Sequence, residues 1–334
     1  MKKVFSLVLA LALALTLLAG CGEPAEPAPA PAEPCDVKVM AMSGPTAMGL
    51  SYFMDQAEQG LVTDNNYQFA IAADSDEVVP KMAKGEIDIA AVPANLASVL
   101  YNKTEGGVEV LGINTLGVLY IVESGETVQT VEDLRGKTIL ATGKNRTPEQ
   151  VLTYILSENG MTIGEDITVE WKSEAAECLS ALMAGDNTIA MLPQPFVSAA
   201  QMKDDNIRVA LDLTSEWDAL QAGSDAPSAM VTGVAVCRKE FAEAHPEAVA
   251  AFMDHYKESV EYVNTNVEEA AELVDHYGIV KAPVAKKAIP ACNIVFIEGS
   301  EMQAKLSGYL QVLFDQNPKS VGGKLPGSDF YYAR

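Results

Sequence analysis

The segment GKNRTPEQ, residues 143–150, carries the residue types best suited to holding an anion. Thr147 reads as a helix N-cap, Pro148 suits the first helical position, and Gln150 completes a capping box. The same helix start presents backbone N–H groups and a positive dipole end, with Lys144 and Arg146 beside it, a combination that fits a carboxylate, sulfonate or phosphate. Glu149 in the first turn opposes a strongly charged guest. A second segment, SGPTAMG at 43–49, brings Ser43, Gly44, Pro45 and Thr46 together. Thr46 is able to cap a short helix, and Gly44 and Gly49 let backbone approach a guest closely. Asp74, Asn95 in PAN and Gln194 in PQP follow strand-like runs, where an amide or carboxylate serves equally as a cap or as a ligand contact. Asn114 and Thr115 join the candidate set from the segment after the first repeat. Phe196, Tyr120 and Trp217 are the aromatics placed to flank a planar ligand, or else to pack a core.

Residues arranged for catalysis are not evident. His245, His255 and His276 all fall in a helical C-terminal region, and no H-E-x-x-H, G-x-S-x-G, S-x-x-K, G-x-G-x-x-G or P-loop pattern occurs. The reading is a binding protein without cofactor, metal or catalytic residue. A surface enzyme stands as the alternative from another class.

The elements that must position these loops are written twice. GEIDIAAVPANLAS from Gly85 is echoed by GDNTIAMLPQPFVS from Gly185, and the correspondence extends over roughly residues 37–100 against 137–200. DVKVMAM, YQFAIAA and IDIAAV read as strands, answered by KTILAT, ITVEW and NTIAML. Helices between them stop at Gly60 and Gly160. Near-continuous apolar strands alternating with helical patterns predict parallel sheets covered on both faces. A repeat this long is a lobe rather than a solenoid turn. In open sheets ligands bind beyond the carboxyl ends of the strands, so the loops named above are expected to converge on one cleft. The later helix PEAVAAFMDHYKESVEYV carries an apolar stripe of Val249, Phe252, Met253, Tyr256, Val260 and Val263. The C-terminal third is assigned mainly to the first lobe.

The chain opens on two lysines, a short apolar run and small residues before Cys21, which reads as a secretory leader over 1–20. Leu18-Ala19-Gly20-Cys21 resembles the lipobox of bacterial lipoproteins, which implies a lipid, palmitate included, on Cys21. Residues 21–35 then form a Pro/Ala/Glu stalk. The formal charge of −23 becomes two units more negative once Lys2 and Lys3 leave with the leader. That argues against nucleic acid or anionic lipid as partners. Cys35, Cys178, Cys237 and Cys292 form no C-x-x-C and read as small buried hydrophobes or a disulfide pair, with Cys35 expected at the surface.

The lipobox, KGEIDIAAVPANLASVLYNK, VEDLRGKTILATG and GVAVCRKEFAEAHPEAVAAFMDHYKES together resemble solute-binding lipoproteins of ABC importers. The likeness is greatest to the nitrate, sulfonate, taurine and thiamine-pyrimidine-precursor group. The cysteine-rich motif and active-site histidine of pyrimidine-synthesising relatives are not evident. The resemblance implies a type II periplasmic-binding-protein fold: two α/β lobes, each a mainly parallel sheet flanked by helices, joined by two crossovers. Lobe 1 is expected over 36–115 plus 232–334 and lobe 2 over 116–231, with hinges near 113–118 and 214–233. It also implies a monomer, anchored on the extracytoplasmic face of a bacterial membrane, that closes on a small polar or anionic organic solute. That solute is presented to a permease and its ATPase. A ligand-sensing receptor subunit is the rival within binding proteins.

Overall fold

A computed structural model describes residues 34–185, 188–223 and 228–334. Cys21, the leader and most of the stalk lie outside the described residues. β1 (Asp36–Met42) leads through two short helices, α1 (Pro45–Met48) and α2 (Ser51–Glu58), into β2 (Asn66–Ala72). α3 (Ser75–Ala83), β3 (Ile89–Pro93), α4 (Ala94–Lys103) and β4 (Val108–Thr115) complete the first series. The second series is β5 (Leu119–Ser124), β6 (Thr138–Thr142), α5 (Thr147–Glu158), β7 (Thr168–Lys172), α6 (Ala175–Ala184), β8 (Ile189–Pro193), α7 (Phe196–Lys203), β9 (Ile207–Asp212) and α8 (Leu213–Gln221). The chain then returns through β10 (Gly233–Arg238), α9 (Lys239–Ala244), α10 (Pro246–Thr265), α11 (Val267–His276), α12 (Ala282–Ala288), β11 (Ile294–Ile297) and α13 (Gly299–Gln316).

Two sheets result, in the orders β11-β4-β10-β3-β1-β2 and β7-β6-β8-β5-β9. Each holds a parallel core and an antiparallel insertion: β10 pairs antiparallel with β3 and β4, and β5 with β8 and β9; the larger sheet also ends on β11, antiparallel to β4. The internal repeat is visible in the register. Asp36 lies opposite Asn66 and Thr138 opposite Thr168, while Val39 pairs with Ile89 and Leu140 with Ala190, so matching strands are displaced by the same number of residues in both sheets. The central strands IAAVP and IAMLP are buried up to their closing prolines. This is why they read as unbroken apolar runs: helices cover both faces. Proline is tolerated where the strand ends because no further ladder donor is needed there.

The chain leaves the larger sheet after Thr115 and joins the smaller at Leu119; it leaves the smaller after Asp212 and rejoins the larger at Gly233. The two passages touch. A Cβ placed on Gly117 would lie 2.1 Å from Met230 Cε and 2.2 Å from Thr214 Oγ1, so any side chain at this crossing forces its neighbours to shift. Thr232 N donates to Thr115 O at 3.0 Å, and Asn293 Nδ2 donates to Gly117 O at 2.6 Å.

One apolar cluster runs from Met40, Val92 and Ile113 of the larger sheet to Ile139, Met191 and Trp217 of the smaller, bridged by Leu306, Tyr309 and Leu313 of α13. α13 therefore packs on α4 and β4 and also on α5, serving both sheets. A second cluster lies beneath α10, whose stripe Val249, Phe252, Met253, Tyr256, Val260 and Val263 is buried as its spacing predicts. Gly49 belongs to this packing: a Cβ there would meet Ile294 Cγ2 at 2.9 Å and Val260 Cγ2 at 3.2 Å. Its smallness admits α10, which corrects the expectation that it serves a guest. The four cysteines from Cys35 onward are free, and Cys35 is half-buried rather than exposed, its thiol donating to Asn65 Oδ1 at 3.3 Å. No helix among the described residues is long and apolar enough to cross a membrane.

Candidate functional site

Backbone hydrogen bonds bring the carboxyl ends of both sheets to the crossings. Ala94 N, just past β3, donates to Thr232 O at 3.0 Å, and Gln194 N, just past β8, donates to Val118 O at 2.9 Å. Because Thr232 is itself joined to Thr115, the ends of β3, β4 and β8 meet around residues 115–118. The Asn95, Asn114, Thr115 and Gln194 positions are thus gathered at one place. Ser43–Thr46, Asp74 and Lys144–Thr147 close the neighbouring strands β1, β2 and β6 on the same ends of their sheets.

The loop after β6 is shaped by Gly143, whose φ of 86° disfavours a side chain and where an added Cβ would lie 2.7 Å from Pro148 Cγ, and by Asn145 at φ 60°. Thr147 is the first helical residue, not the N-cap; Arg146 occupies the cap position with extended backbone and no side-chain cap. Glu149 reaches back past the cap to the loop, its Oε2 accepting from Asn145 N at 2.5 Å. The capping box from Thr147 to Gln150 is therefore absent, and a carboxylate already sits at this helix start. Gln150 turns inward instead, with 6% exposure.

Charge pairing singles out one side chain. The chain has five arginines. Arg135 pairs with Glu132 and Asp166, Arg208 with Glu123, Arg238 with Asp88 and Glu240, and Arg334 with Asp254 and Glu298. Arg146 is exposed and has no ion-pair partner among the described residues, and the same holds for Lys144. In a chain with twice as many acidic as basic side chains, these two cations, two residues apart at a strand's carboxyl end, stand without a carboxylate partner among the described residues.

On the larger sheet Gly44, at φ 110° and ψ −158°, is the N-cap of α1, a conformation open to glycine alone. Thr46 lies inside α1 and does not cap it; its carbonyl accepts from Tyr256 Oη at 3.3 Å. Gly233 faces Thr46 Oγ1 and Asn114 Oδ1, leaving 2.4 Å between that amide oxygen and any added Cβ. Thr115 Oγ1 donates to Asn114 Oδ1 at 3.0 Å, while Asn114 Nδ2, near the Tyr256 phenol, lacks a hydrogen bond of good geometry. Ser43 is exposed and Pro45 half-buried.

Several expected contacts are engaged elsewhere. Asp74 caps α3 by accepting from Asp76 N at 2.8 Å. Asn95 Nδ2 donates to Ser320 O at 3.2 Å, and Gln194 Oε1 accepts from Ser198 Oγ at 2.9 Å. Trp217 is fully buried against Tyr154 and Tyr309, with Nε1 donating to Ser228 Oγ at 3.1 Å; it is core, not a ligand platform. Tyr120 is buried and donates to Ala291 O at 2.8 Å, joining β5 to the segment before β11, and its burial raises the phenol pKa. Phe196 is half-buried against the small cluster around β8. Sequence reading missed Asn293, which ties the first crossing to the larger sheet; its one signal is a lone asparagine able to adopt the φ of 46° found there. Three concavities of about 400, 280 and 140 Å³ lie at Asp218–Lys305, Lys84–Arg238 and Tyr52–His255, and none of them is lined by these strand-end loops.

The chain belongs to the ABC transporter, phosphonate, periplasmic substrate-binding protein family, whose model matches residues 52–285. Among curated proteins none matches. The structure is similar to an ABC transporter protein of Parabacteroides distasonis at 24% identity, covering 89% of this chain and 99% of that one with a TM-score of 0.75. It is also similar to the periplasmic aliphatic sulphonate binding protein SsuA of Escherichia coli, at 16% identity over 90% and 93% of the two chains with a TM-score of 0.70. The periplasmic nitrate-binding protein NrtA of Synechocystis PCC 6803 matches at 14% identity over 73% and 66%, with a TM-score of 0.54. These likenesses establish the periplasmic-binding-protein fold: two mixed sheets flanked by helices.

Proposed function

We propose that this substrate-binding protein captures a small solute carrying a phosphonate or sulfonate headgroup at the crossing of its two sheets and delivers it to a membrane permease. The observation that carries this reading is Arg146: it stands unpaired beside Lys144 at the carboxyl end of β6, where every other arginine is neutralised by a carboxylate. Arg146 and Lys144 take the anionic oxygens, Thr147 and the loop backbone add donors, and Ser43, Gly44, Pro45, Thr46, Asp74, Asn95, Asn114, Thr115, Gln194 and Phe196 shape the remainder. Glu149 lowers the net charge of the loop, which favours a singly charged headgroup or one with an ammonium in the same molecule.

In this proposal, residues 36–115 with 232–334 form one lobe and 116–231 the other. Contacts from both are made together only when the lobes close about the crossings at Gly117, so solute shifts a hinge equilibrium by its preference for the closed form. A lipid on Cys21 tethers the monomer to the outer face of the membrane. A thermal-shift screen with phosphonates, sulfonates, inorganic anions and carboxylates tests the reading. A ligand at 100 times its Kd adds about 2.7 kcal/mol of stability, and a phosphonate or sulfonate is expected to give the largest rise in Tm. No rise with any of these four classes sinks it.

A further inference from the structure

The loop that carries Arg146 is held from behind by a residue pair on elements far apart in the chain. Gln150 lies one helical turn after Arg146, its backbone N donating to Arg146 O at 3.3 Å. Its side chain points away from the loop, into the contact with α13, where Nε2 donates to Leu313 O at 3.3 Å. Gln316 answers across the same contact, donating from Nε2 to Gln150 O at 2.9 Å. Leu313 is in the last turn of α13, where its carbonyl accepts from Asn317 N at 2.9 Å and keeps a second lone pair for the Gln150 amide. The contact also sets the negative end of the α13 dipole against the first turns of α5.

The chain just beyond α13 performs the same service for the other sheet. Ser320 O accepts from Asn95 Nδ2 at 3.2 Å, and Val321 O accepts from Ser98 Oγ at 2.7 Å and Asn102 Nδ2 at 2.9 Å. Ser320 Oγ is also within reach of Leu313 O, at 3.4 Å. Within nine residues of sequence, 313 to 321, the end of α13 and the turn after it thus grip the start of α5 and the face of α4, the helices that follow β6 and β3.

We infer that Gln150 and Gln316 are positioning residues, and that the end of α13 is a shared contact that holds the Arg146 loop and the Asn95 loop in register in this arrangement of the two sheets. Neither glutamine touches solute in this arrangement; they act through the loop. The inference rests on the placement of the solute site proposed above, and its primary test needs no solute. Gln316 is exposed, so Gln316→Ala removes one hydrogen bond without opening a cavity. Hydrogen exchange of the ligand-free protein is expected to quicken about 2- to 10-fold in peptides spanning residues 143–149, the range given by loss of one neutral hydrogen bond. The thermal midpoint changes little. Gln311→Ala, on the same helix but bonded only to Asp315 four residues on, is expected to leave that exchange unchanged. Unchanged exchange over 143–149 in Gln316→Ala, or an equal rise in Gln311→Ala, overturns the role of this contact. With a solute from the screen, Gln316→Ala is expected to raise the dissociation rate by a similar factor at constant association rate; an unaltered dissociation rate refutes the positioning role. A screen in which wild type binds nothing bears on the proposed function alone, because the exchange measurement still decides the role of this contact.

Discussion

Substituting Gly117 by alanine probes the place where the two passages between sheets run against each other. The added Cβ would sit 2.1 Å from Met230 Cε and 2.2 Å from Thr214 Oγ1, with Thr214 Cβ at 3.1 Å. Met230 has a flexible end that can swing aside, but the threonine is stiff at χ1, so the residual strain falls between Gly117 and Thr214. Overpacking of this kind costs about 1–3 kcal/mol. With an unfolding entropy of about 2.1 cal/mol/K per residue over residues 34–334, that becomes a fall in Tm of roughly 2–5 °C. Thr214 Oγ1 is buried without a hydrogen-bond partner, so Thr214→Ala alone is expected to be neutral or slightly stabilising. In the Thr214→Ala background, Gly117→Ala should then cost less, with a coupling of about 1 kcal/mol. Calorimetric unfolding of the wild type, both single variants and the double variant measures this cycle. Equal costs of Gly117→Ala in both backgrounds would show that the passages are not in contact there.

Acid stability is tied to Glu123, 1% exposed at the far end of β5. Burial pushes its pKa up, but Thr127 Oγ1 at 2.6 Å, the Thr127 and Val128 backbone N–H groups and Arg208 at 2.6 Å outweigh it, and the result lies below the ordinary value of 4.5. A depressed carboxyl contributes stability that is complete above the unfolded pKa and is lost as pH falls through the folded one, so Glu123→Gln should flatten the pH dependence of Tm below about pH 4.5. A wild-type acid limb left as steep in that variant contradicts this. Arg208→Ala, which leaves that carboxylate buried with fewer donors, is expected to cost about 3 kcal/mol in chemical denaturation, and a loss under 1 kcal/mol would mean solvent screens the pair. Among Cys35, Cys178, Cys237 and Cys292, a thiol reagent should modify only Cys35 in the folded protein. Burial raises the Cys178 and Cys292 thiols to about 12 and that of Cys237 higher still; native labelling of any of these three, followed by peptide mapping, would show local opening.

The repeated strands were legible because the duplication preserves spacing: IDIAAV and NTIAML are apolar on both faces, and no amphipathic helix of that length imitates them. The strand-end loops followed from that, since proline and glycine mark where each ladder stops. Cap chemistry was not legible. TPEQ has the sequence of a capping box, yet the turn formed by Gly143 and Asn145 sets Arg146 at the cap position and brings Glu149 back onto the loop at Asn145. The choice between core and ligand contact for Trp217, and the inward turn of Gln150, were not legible for a shared reason. Each faces α13, a helix more than eighty residues later in the chain, and no local pattern reports what packs against a side chain at that separation. Gly49 likewise has the look of a binding-loop glycine until Ile294 and Val260 are set against it.

The central claim, that Arg146 receives the anionic group of the solute, is tested most directly by isothermal titration of wild type, Arg146→Lys and Arg146→Ala with a phosphonate or sulfonate found in the screen. Loss of a charge-assisted hydrogen-bonded contact of about 1.5–3 kcal/mol predicts a Kd roughly 10- to 150-fold weaker for Arg146→Ala, with Arg146→Lys between the two because it keeps the charge but not the planar fork. Three indistinguishable affinities would contradict the account and place the anion elsewhere in the molecule.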